Sequence, residues 1–511
     1  MSISSHSIND IYVPRSQHYK GPFGRLFREL PPWSPPSAND ADAIAAISAF
    51  ATNHMSESAA NPEPDNTNIP AGYTYFGQFV DHDITFDPTS SLQRQNDPNK
   101  LHNFRTPRLD LDCIYGEGPD DEPFMYDTNR GGMMLIGKVQ RDVDGNPVDG
   151  SNEPDLPRNL QGTALIGDKR NDENVIVSQF QLSMLRLHNR VYGSMVGQNP
   201  DDLDLRFNMD KEKFHDAQRI VRWFYQYVVW NDYVKRLVKN DIWSAVLKLE
   251  NGELAYNGRH YKWEYQPFIP VEFAVSAYRF GHSLIRPGYQ VNLNQDVGLG
   301  FGVELPIFHP DGPGKHDLSG FRFFQHRHTV QWDWFFKMKS SAGPFPQPSR
   351  RIDPELSPAV SKIPDGQGGS NLLAFLNLMR SWRMEMPRGS DVATAMGFTP
   401  HAIDDPHENI LWHYILKEAI NLPGANRGKM LGNVGGTIVA EVFAGLLKGD
   451  PSGYVRNAPE WTPADEPVLM ELTGGGGPEN GSGWEVADII RASGAPVNDV
   501  DVANTIANGH N

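Results

Sequence analysis

Three polar side chains stand within an apolar, aromatic stretch at residues 76–86, which reads FGQFVDHDITF. On a helix, Gln78 and His82 lie one turn apart on the same face, with Asp81 beside them. An imidazole has a near-neutral pKa and can both accept and return a proton, which makes His82 a candidate acid–base group. Burying such groups without partners costs several kcal/mol, so their clustering favours a reactive site over an isolated core histidine.

A second histidine follows a glycine in RFGHSLIRP, residues 279–287. Gly281 has no side chain, so a flat cofactor can approach the chain closely next to His282. The structural alternative is a histidine that interacts with the dipole at the C-terminal end of a helix. This segment by itself leaves both interpretations open.

Two further segments carry charged residues at chemically useful spacings. Arg170 and Glu173 lie three residues apart in TALIGDKRNDENVIV, where a capping box or a surface ion pair is the alternative interpretation. In TPRLDLDCIYGEGP, Thr106, Asp110 and Asp112 alternate with apolar residues, so their oxygens can converge on a hard cation.

Two other kinds of metal site fit the sequence poorly. His188 is the nearest additional ligand for a metal hydrolase, but nothing near it in the sequence completes such a site. An EF-hand-like spacing begins at Asp142, yet Pro147 occupies the position that requires glycine. We interpret that segment as a β-hairpin closed on Asp144 and Gly145.

Helical periodicity dominates the chain and must position these residues. Apolar residues recur at spacings of three and four from Val175, and we predict helices that begin there, at Gly72 and near Pro270. Strand signals are weak, with one strand pair predicted within 240–268. Further helices are predicted at 41–54, 212–238, 353–362, 371–385, 408–420, 436–448 and 483–493. The predicted fold class is mainly α, a single large domain with a helical core, long loops and little β-structure.

Composition divides the chain into three parts. Residues 1–70 are rich in Pro, Ser and Asn, and we predict an arm that packs on a core formed by residues 71–455. Residues 456–511 are predicted to form a C-terminal extension with a glycine-rich link and a short helix.

Charge and cysteine content bound the partners and the compartment. A formal net charge of −17 without a basic run argues against nucleic acid as a partner. No apolar run reaches the roughly 18–20 residues of a membrane span. Cys113 is the single cysteine, so no intramolecular disulfide can form. Without a secretory signal pattern, we expect a cytoplasmic protein, or one exported by a route that leaves no N-terminal signal.

In their order along the chain, the four motifs at residues 76–86, 106–119, 163–177 and 279–287 resemble those of the animal-type haem peroxidases, a family of the peroxidase–cyclooxygenase superfamily. The resemblance implies a single haem peroxidase domain whose helical core surrounds haem b. It implies catalytic roles for His82 as the distal histidine, for its neighbour Gln78 and for Arg170 as the distal arginine. The cofactor-binding residues that it implies are His282 as the proximal iron ligand, Asn377 in LNLMRSWR as the partner of that histidine, Arg279, and the ester-forming carboxylates Asp81 and Glu173.

The resemblance also implies a Ca²⁺ site. The implied ligands are Asp83, Thr106, the carbonyl group of Arg108, Asp110 and Asp112. The family has a serine where Asp112 stands, and an aspartate remains a competent oxygen ligand. Asn174 occupies the position of the methionine that forms a sulfonium link to haem in some members, so that third bond is absent.

The implied reaction reduces hydrogen peroxide through a high-valent oxo-iron intermediate and oxidises a small-molecule donor: a halide, thiocyanate or a phenol. One alternative is a haem-dependent fatty-acid dioxygenase of the same superfamily, which needs a radical tyrosine three residues before the proximal histidine. Arg279 occupies that position, and Tyr278 is one residue too early. Another alternative is an inactive haem- and calcium-binding adhesion module, which has no need for Gln78, His82 and Arg170 together. The sequence leaves the electron donor and the oligomeric state open.

Overall fold

Helices fill most of the interior in the computed structural model of the chain. The structure describes residues 21–57, 64–87, 101–139, 154–198, 209–292, 304–308, 316–338, 346–361, 363, 372–481 and 483–497. Within them the α-helices are α1 (Asp40–His54), α2 (Gly72–Ile84), α3 (Asp112–Tyr115), α4 (Val175–Val196), α5 (Lys211–Val228), α6 (Lys235–Leu237), α7 (Asn240–Val246), α8 (Leu373–Arg383), α9 (Gly389–Ala395), α10 (Leu411–Ile420), α11 (Asn433–Gly449), α12 (Tyr454–Asn457), α13 (Pro467–Leu472) and α14 (Val486–Ser493).

The strands are short and pair two by two. They are β1 (Gly21–Pro22), β2 (Asn66–Pro70), β3 (His102–Asn103), β4 (Gly137–Lys138), β5 (Pro154–Asp155), β6 (Leu247–Glu250), β7 (Glu253–Tyr256), β8 (Gly288–Tyr289), β9 (Leu305–Pro306) and β10 (Pro348–Ser349). The antiparallel pairs are β1 with β3, β2 with β10, β4 with β5, β6 with β7, and β8 with β9. The predicted mainly α fold class is confirmed.

The two helices that carry the distal motifs pack against each other in the interior. α2 is buried along most of its length and lies against α4. α4 begins after Asn174, whose side-chain oxygen accepts a hydrogen bond from the backbone N–H of Val177. It ends at Gly197, which adopts φ 73°. Because α2 is enclosed on several sides, its polar side chains must find partners inside the protein.

The segment around His282 is helical as predicted, but it is not an α-helix. Residues Glu272–Ser276 form a π-helix, and Ala277–Leu284 form a 3-10 helix. The change occurs at Ser276, whose dihedral angles of φ −126° and ψ −69° lie outside the helical region. A 3-10 helix has about three residues per turn, so Arg279 and His282 lie one above the other on the same face.

A buried carboxylate anchors the start of this segment. Glu272 is fully buried and accepts hydrogen bonds from the backbone N–H groups of Leu26 and Phe27. The N-terminal part of the chain therefore holds the π-helix in place from outside the helical core.

Other predicted elements are shorter than expected. The strand pair predicted within 240–268 is limited to β6 and β7, because α7 precedes it. Trp243 of α7 stacks on Trp230 and donates its indole N–H to the carbonyl group of Trp230, which holds the helical turn against the core. The helix predicted at 353–362 is reduced to a 3-10 turn at Pro358–Ser361, in a segment interrupted by prolines that lack an N–H donor. The hairpin turn predicted at residues 144–145 lies outside the described residues.

The described ends of the chain pack on the helical core. α1 lies against α8, and α14 lies against α4 and α5. Arg186 and Arg190 of α4 donate hydrogen bonds to backbone carbonyl groups at the end of α14, where a helix carries partial negative charge. The three-part division of the chain stays a prediction. None of the described helices has the length and hydropathy needed to cross a membrane.

We expect Glu441→Gln to destabilise the fold. The buried carboxylate of Glu441 in α11 accepts hydrogen bonds from the backbone N–H groups of Arg259, His260 and Tyr261. An amide of the same shape turns an N–H donor toward these donors, so the free energy of unfolding should fall by about 2–4 kcal/mol. Thermal or urea unfolding measures this loss, with Glu250→Gln in the exposed hairpin as a control. Equal stability of the two variants would contradict the prediction.

Candidate active site

His82 is held by a chain of side-chain hydrogen bonds. The ring is buried, and its Nδ1 atom lies 2.8 Å from Oδ1 of Asn171. Nδ2 of Asn171 donates to Oε1 of Gln181, and Nε2 of Gln181 donates to the backbone carbonyl group of Cys113. A backbone carbonyl can only accept, so it fixes the direction of every bond in this chain. The proton of His82 therefore lies on Nδ1, and its Nε2 keeps an available lone pair.

Gln78 lies beside His82 and contacts Glu173. Its Nε2 atom donates to Oε1 of Glu173, and its Oε1 accepts a hydrogen bond from Nδ2 of Asn174. The same Glu173 oxygen lies 3.9 Å from Nε2 of His82. These contacts bring three of the predicted site residues together from two distant parts of the sequence.

Arg170 is oriented by Asp168. Its Nε–H and Nη2–H groups donate to the Asp168 carboxylate, and Nη2 also donates to the backbone carbonyl group of His82. The guanidinium stacks 4.6 Å from the centre of the Phe86 ring. Arg170 thus contacts the backbone of His82, although it is not among the described residues that line the cavity.

The second histidine has an amide partner. Nδ1 of His282 lies 2.8 Å from Nδ2 of Asn377, which is buried in α8. A Cβ atom placed on Gly281 would meet no atom within 4 Å, so the chain is open on the side of His282 that faces the cavity. Arg279 donates its Nε–H to the carbonyl group of Ala274.

One cavity separates the two histidines. It is lined by Gln78, Asp81, His82 and Glu173 on the side of α2 and α4, and by Tyr278, Arg279, Gly281 and His282 on the other side. Both histidines have lowered pKa values of about 3. Burial is the main cause in each case, followed by the positive charge of Arg170 for His82 and of Arg279 for His282. Both rings are therefore neutral at physiological pH.

The two predicted ester-forming carboxylates lie on the cavity wall. Asp81 accepts a hydrogen bond from the hydroxyl group of Thr85 at 3.0 Å. Desolvation raises the pKa of Asp81, although Arg170 and Arg279 oppose the shift. Desolvation also raises the pKa of Glu173 to about 7, even though 36% of its side-chain surface remains accessible from the cavity.

Asp83 points away from this cavity toward two other carboxylates. One oxygen each of Asp83, Asp110 and Asp112 lies within 4.8 Å of the other two. Leu111 has φ 59° in the left-handed region, which turns the chain so that its two acidic neighbours face the same point. Burial and mutual repulsion raise the pKa of Asp83, and burial raises the pKa of Asp112 to about 7. A bound cation would remove this repulsion.

Thr106 and Arg108 lie in the same loop. The hydroxyl group of Thr106 donates to Asp110 at 2.7 Å, so it contacts the carboxylate cluster. Arg108 is partly exposed two residues before Asp110. Three of the predicted calcium ligands thus converge, and a fourth lies in contact with them.

Arg105 links this cluster to the distal side of the cavity. It donates to Asp112 at 3.2 Å and to Asp168 at 2.6 Å, and Asp168 in turn binds Arg170. Arg105 and Asp168 are buried. The carboxylate cluster and Arg170 are therefore parts of one network of ion pairs.

His188 is a structural residue. Its Nε2 lies 2.9 Å from the carbonyl group of Gly132, and its Nδ1 lies 3.2 Å from the hydroxyl group of Tyr115. Both ring nitrogens are engaged within the protein, as expected for a histidine that binds no metal.

Comparisons with known proteins agree with this geometry. The family model described as "Animal haem peroxidase" matches residues 90–299, which contain Asp110, Arg170, Glu173 and His282 and begin just after the His82 motif. The chorion peroxidase of Drosophila melanogaster is 22% identical over 431 residues, covering 79% of this chain and 48% of that protein. A peroxidase-like protein of Margaritifera margaritifera is 25% identical over 283 residues, covering 44% of this chain and 32% of that protein.

The fold is shared over nearly the whole chain with solved structures. Peroxidase A from Dictyostelium discoideum aligns with a TM-score of 0.56 and 16% identity over 96% of this chain and 94% of that one. The chain thus has the fold of a haem peroxidase, and residues 90–299 match the animal haem peroxidase family model. A fatty acid alpha-dioxygenase from Oryza sativa has the same fold, with a TM-score of 0.53 and 15% identity over 97% of this chain and 85% of that one.

The chain spans about a fifth to a half of the length of the curated relatives that it matches. Its residues fit the haem that the family implies. Two neutral histidines face each other across one cavity, and the chain is open beside one of them at Gly281. Imidazole nitrogen is a common axial ligand of haem iron.

Several residues that build the site were missed in the sequence. Asn171 and Gln181 orient His82, and Arg105 and Asp168 orient Arg170. Asn171 stands in the GDKRNDEN motif, and Gln181 stands in the second turn of α4 among buried residues. The available signal was a polar residue, Gln181, on an apolar helix face, but this signal does not show which residue it binds.

We expect Asn171→Leu to release the His82 ring. The substitution preserves the size of the side chain but removes the acceptor for the Nδ1 proton, so the ring is no longer held in one tautomer. ¹⁵N chemical shifts of labelled histidine should show a single Nδ1–H tautomer for His82 in the parent and a mixture in the variant. Asn421→Leu, at an exposed helix end, is the control. An unchanged His82 spectrum in Asn171→Leu would refute the hydrogen-bond direction.

Proposed function

We propose that the protein is a haem peroxidase that reduces hydrogen peroxide and oxidises a small-molecule donor. The observation that carries the proposal is the pair of neutral histidines that line one cavity, the buried His82 and the partly buried His282, each with its Nδ1 atom engaged by an amide side chain. Haem, when bound, supplies an iron atom that coordinates peroxide and a porphyrin that accepts its oxidising equivalents.

His82 is proposed to transfer a proton between the two oxygens of hydrogen peroxide. Hydrogen peroxide must lose a proton from one oxygen and regain it on the other before the O–O bond breaks. Nε2 of His82 carries the lone pair for the first step because Asn171 holds the ring proton on Nδ1. Its lowered pKa favours return of the proton, since the buried imidazolium beside Arg170 is costly.

Two neighbours support His82. The amide of Gln78 lies one turn before it on the same wall and can donate a hydrogen bond to peroxide once Glu173 is engaged elsewhere. Arg170 provides a permanent positive charge behind the ring, which stabilises negative charge on the departing oxygen.

The opposite wall holds the cofactor. His282 is proposed as the iron ligand through Nε2, with Asn377 as the partner of Nδ1. Turning the Asn377 amide about its Cβ–Cγ bond presents its oxygen to Nδ1, which fixes the proton there and leaves Nε2 for the metal. Arg279 lies one 3-10 turn before His282 and is proposed to neutralise an acidic group of the haem.

Asp81 and Glu173 are proposed to form the ester bonds to haem b. Both line the cavity on the same side as His82, and both have raised pKa values. The raised pKa values show that both carboxyl groups are shielded from water, which leaves them less strongly hydrated than carboxyl groups at the surface.

The carboxylate cluster is proposed to bind Ca²⁺. Calcium prefers six to eight oxygen ligands, and Asp83, Asp110 and Asp112 supply three carboxylates at one point. The hydroxyl group of Thr106 and the carbonyl group of Arg108 are proposed as further ligands. Through Arg105 and Asp168 the ion would also help to hold Arg170 in place.

Fatty-acid dioxygenation is the second candidate. Tyr278 lines the cavity, as a radical tyrosine would, and the rice dioxygenase has the same fold. However, Arg279 shares the face of His282 on the 3-10 helix, whereas the Tyr278 hydroxyl group is bonded to the carbonyl group of Gly77 and to Tyr233. Uptake of oxygen with palmitate and no peroxidase turnover would favour the dioxygenase over the peroxidase.

His82→Ala should keep haem but react slowly with peroxide. The substitution removes the proton carrier without touching His282, and general acid–base groups contribute about 10²–10⁴-fold to rate. Stopped-flow absorbance of the Soret band with hydrogen peroxide measures the second-order rate constant. His215→Ala, at an exposed histidine of α5, should react at the parent rate. A His82→Ala variant with full haem content that reacts as fast as the parent would disprove the acid–base role.

Asp110→Asn should change stability in opposite directions with and without calcium. In a chelator, the substitution removes one of three repelling buried carboxylates, so the unfolding temperature should rise by a few degrees. With millimolar Ca²⁺ it removes a ligand, so the parent should become the more stable protein. Differential scanning calorimetry measures both, with exposed Asp121→Asn as the control. The same sign under both conditions would rule out a cation site at this cluster.

A further inference from the structure

A second, larger pocket opens on the surface next to the haem cavity. Its volume of about 510 Å³ lies within the roughly 300–1,000 Å³ of small-molecule sites. It is lined by Thr67, Asn68, Pro70, Tyr73, Arg236, Lys337, Pro346, Pro348, Asn480, Glu485 and Ala487. Tyr73 lines both this pocket and the haem cavity, so one buried side chain separates the two spaces.

Three buried tyrosines connect the pocket to the proximal side of the cavity. The rings of Tyr73 and Tyr233 are parallel within 4°, with centroids 6.5 Å apart. The hydroxyl groups of Tyr233 and Tyr278 lie 3.1 Å apart, and Tyr278 lines the cavity four residues before His282. A Cβ atom on Gly77 would overlap the Tyr233 hydroxyl group, so glycine at this position of α2 permits the contact.

Tyr73 has a base placed to receive its proton. Its hydroxyl group donates to Oδ2 of Asp232 at 2.6 Å, and the guanidinium of Arg236 lies 4.8 Å from the centre of its ring. Burial and the nearby Asp232 raise the pKa of the Tyr73 phenol well above its usual value, so the group is neutral. A neutral phenol that loses an electron becomes a strong acid, and Asp232 is the acceptor at hydrogen-bond distance.

The pocket offers binding groups for an aromatic anion. Three proline rings provide apolar faces. The exposed ammonium group of Lys337 and the guanidinium of Arg236 provide two positive charges, and Glu485 provides the single negative charge among the lining residues. Arg236 is already paired with Asp232 and Glu485, so Lys337 is the cation available to a ligand.

We propose that this surface pocket binds a phenol that carries a carboxylate group, and that Tyr73, Tyr233 and Tyr278 carry its electron to the haem cavity. The inference rests on the proposed peroxidase function and adds a donor class and a second donor site to it. Donors too large for the haem cavity are thereby oxidised at the surface.

The electrons and protons of the proposed transfer balance. One hydrogen peroxide takes two electrons and two protons and yields two water molecules. For each electron, Tyr73 passes the electron toward Tyr233 and Tyr278 and its hydroxyl proton to Asp232. The donor phenol then reduces the Tyr73 phenoxyl radical, Asp232 returns the proton to the Tyr73 oxygen, and the donor releases its own proton to water. Two donor molecules leave as phenoxyl radicals for each peroxide.

Binding is tested first on the haem-free protein with 4-hydroxycinnamate as the probe. Isothermal titration should detect binding, and Lys337→Glu should weaken it about tenfold, as expected for the loss of one charge-assisted contact. The methyl ester of the probe should bind equally weakly to both proteins. Lys248→Glu, on the exposed hairpin, is the control. Absence of binding, or equal affinity for Lys337→Glu and the parent, overturns the pocket assignment.

Electron transfer is tested on the haem-loaded protein by freeze-quench electron paramagnetic resonance after addition of peroxide. The parent should show a tyrosyl radical that 4-hydroxycinnamate quenches, and Tyr73→Phe should lose the quenching. Tyr233→Phe interrupts the same path without touching Asp232, so it covers the case in which Tyr73→Phe fails to fold. In both variants the rate with 4-hydroxycinnamate, relative to the rate with iodide, should fall at least tenfold.

The two levels of the proposal fail in different ways. A haem-loaded parent that oxidises neither iodide nor 4-hydroxycinnamate refutes the peroxidase function itself. A parent that oxidises both, with an unchanged ratio and unchanged radical quenching in Tyr73→Phe and Tyr233→Phe, leaves the peroxidase standing and refutes the tyrosine path.

Discussion

The distal half of the site depends on the buried carboxylate of Asp168. Burial raises the pKa of this group, but Arg170 and Arg105 outweigh burial and hold the pKa below its usual range, so the carboxylate is charged. It then binds Arg170 behind His82 on one side and Arg105, which reaches Asp112, on the other. Removing this charge takes away one of the two carboxylate partners of the buried Arg105 and the carboxylate that orients the partly buried Arg170, which costs more than breaking a surface ion pair. Asp168 therefore couples the position of Arg170 to the carboxylate cluster through Arg105.

The proximal half depends on the backbone rather than on charge. The change from a π-helix to a 3-10 helix at Ser276 sets which residues share the face of His282. With three residues per turn, Arg279 lies on that face, and the Tyr278 hydroxyl group is directed toward Gly77 and Tyr233. The same geometry that directs the Tyr278 hydroxyl group away from His282 places Tyr278 at the inner end of the proposed electron path.

α2 contributes residues to the cavity, to the carboxylate cluster and to the surface pocket, each from a different part of its surface. Gln78, Asp81 and His82 face the cavity, Asp83 faces the carboxylate cluster, and Tyr73 at its N-terminal end lies between the cavity and the surface pocket. A single buried helix thus fixes the relative positions of His82, the carboxylate cluster and the surface pocket. Its packing against α4 sets the distance between His82 and Glu173, which stand 91 residues apart in the sequence.

The sequence by itself determined the mainly α class, the start of α2 and α4, and the candidate residues His82, Arg170, Glu173 and His282, because helical periodicity and short motifs are local properties. It also indicated that the side-chain oxygens of Asp110 and Asp112 can converge on one point. Only the tertiary structure decided that Asn171 and Gln181 fix the His82 tautomer, that Asp168 joins two arginines, and that the segment around His282 is not an α-helix. Those features arise from contacts between distant segments and from burial, and the hydrogen-bond partner of a buried group is chosen by packing, which no local pattern records.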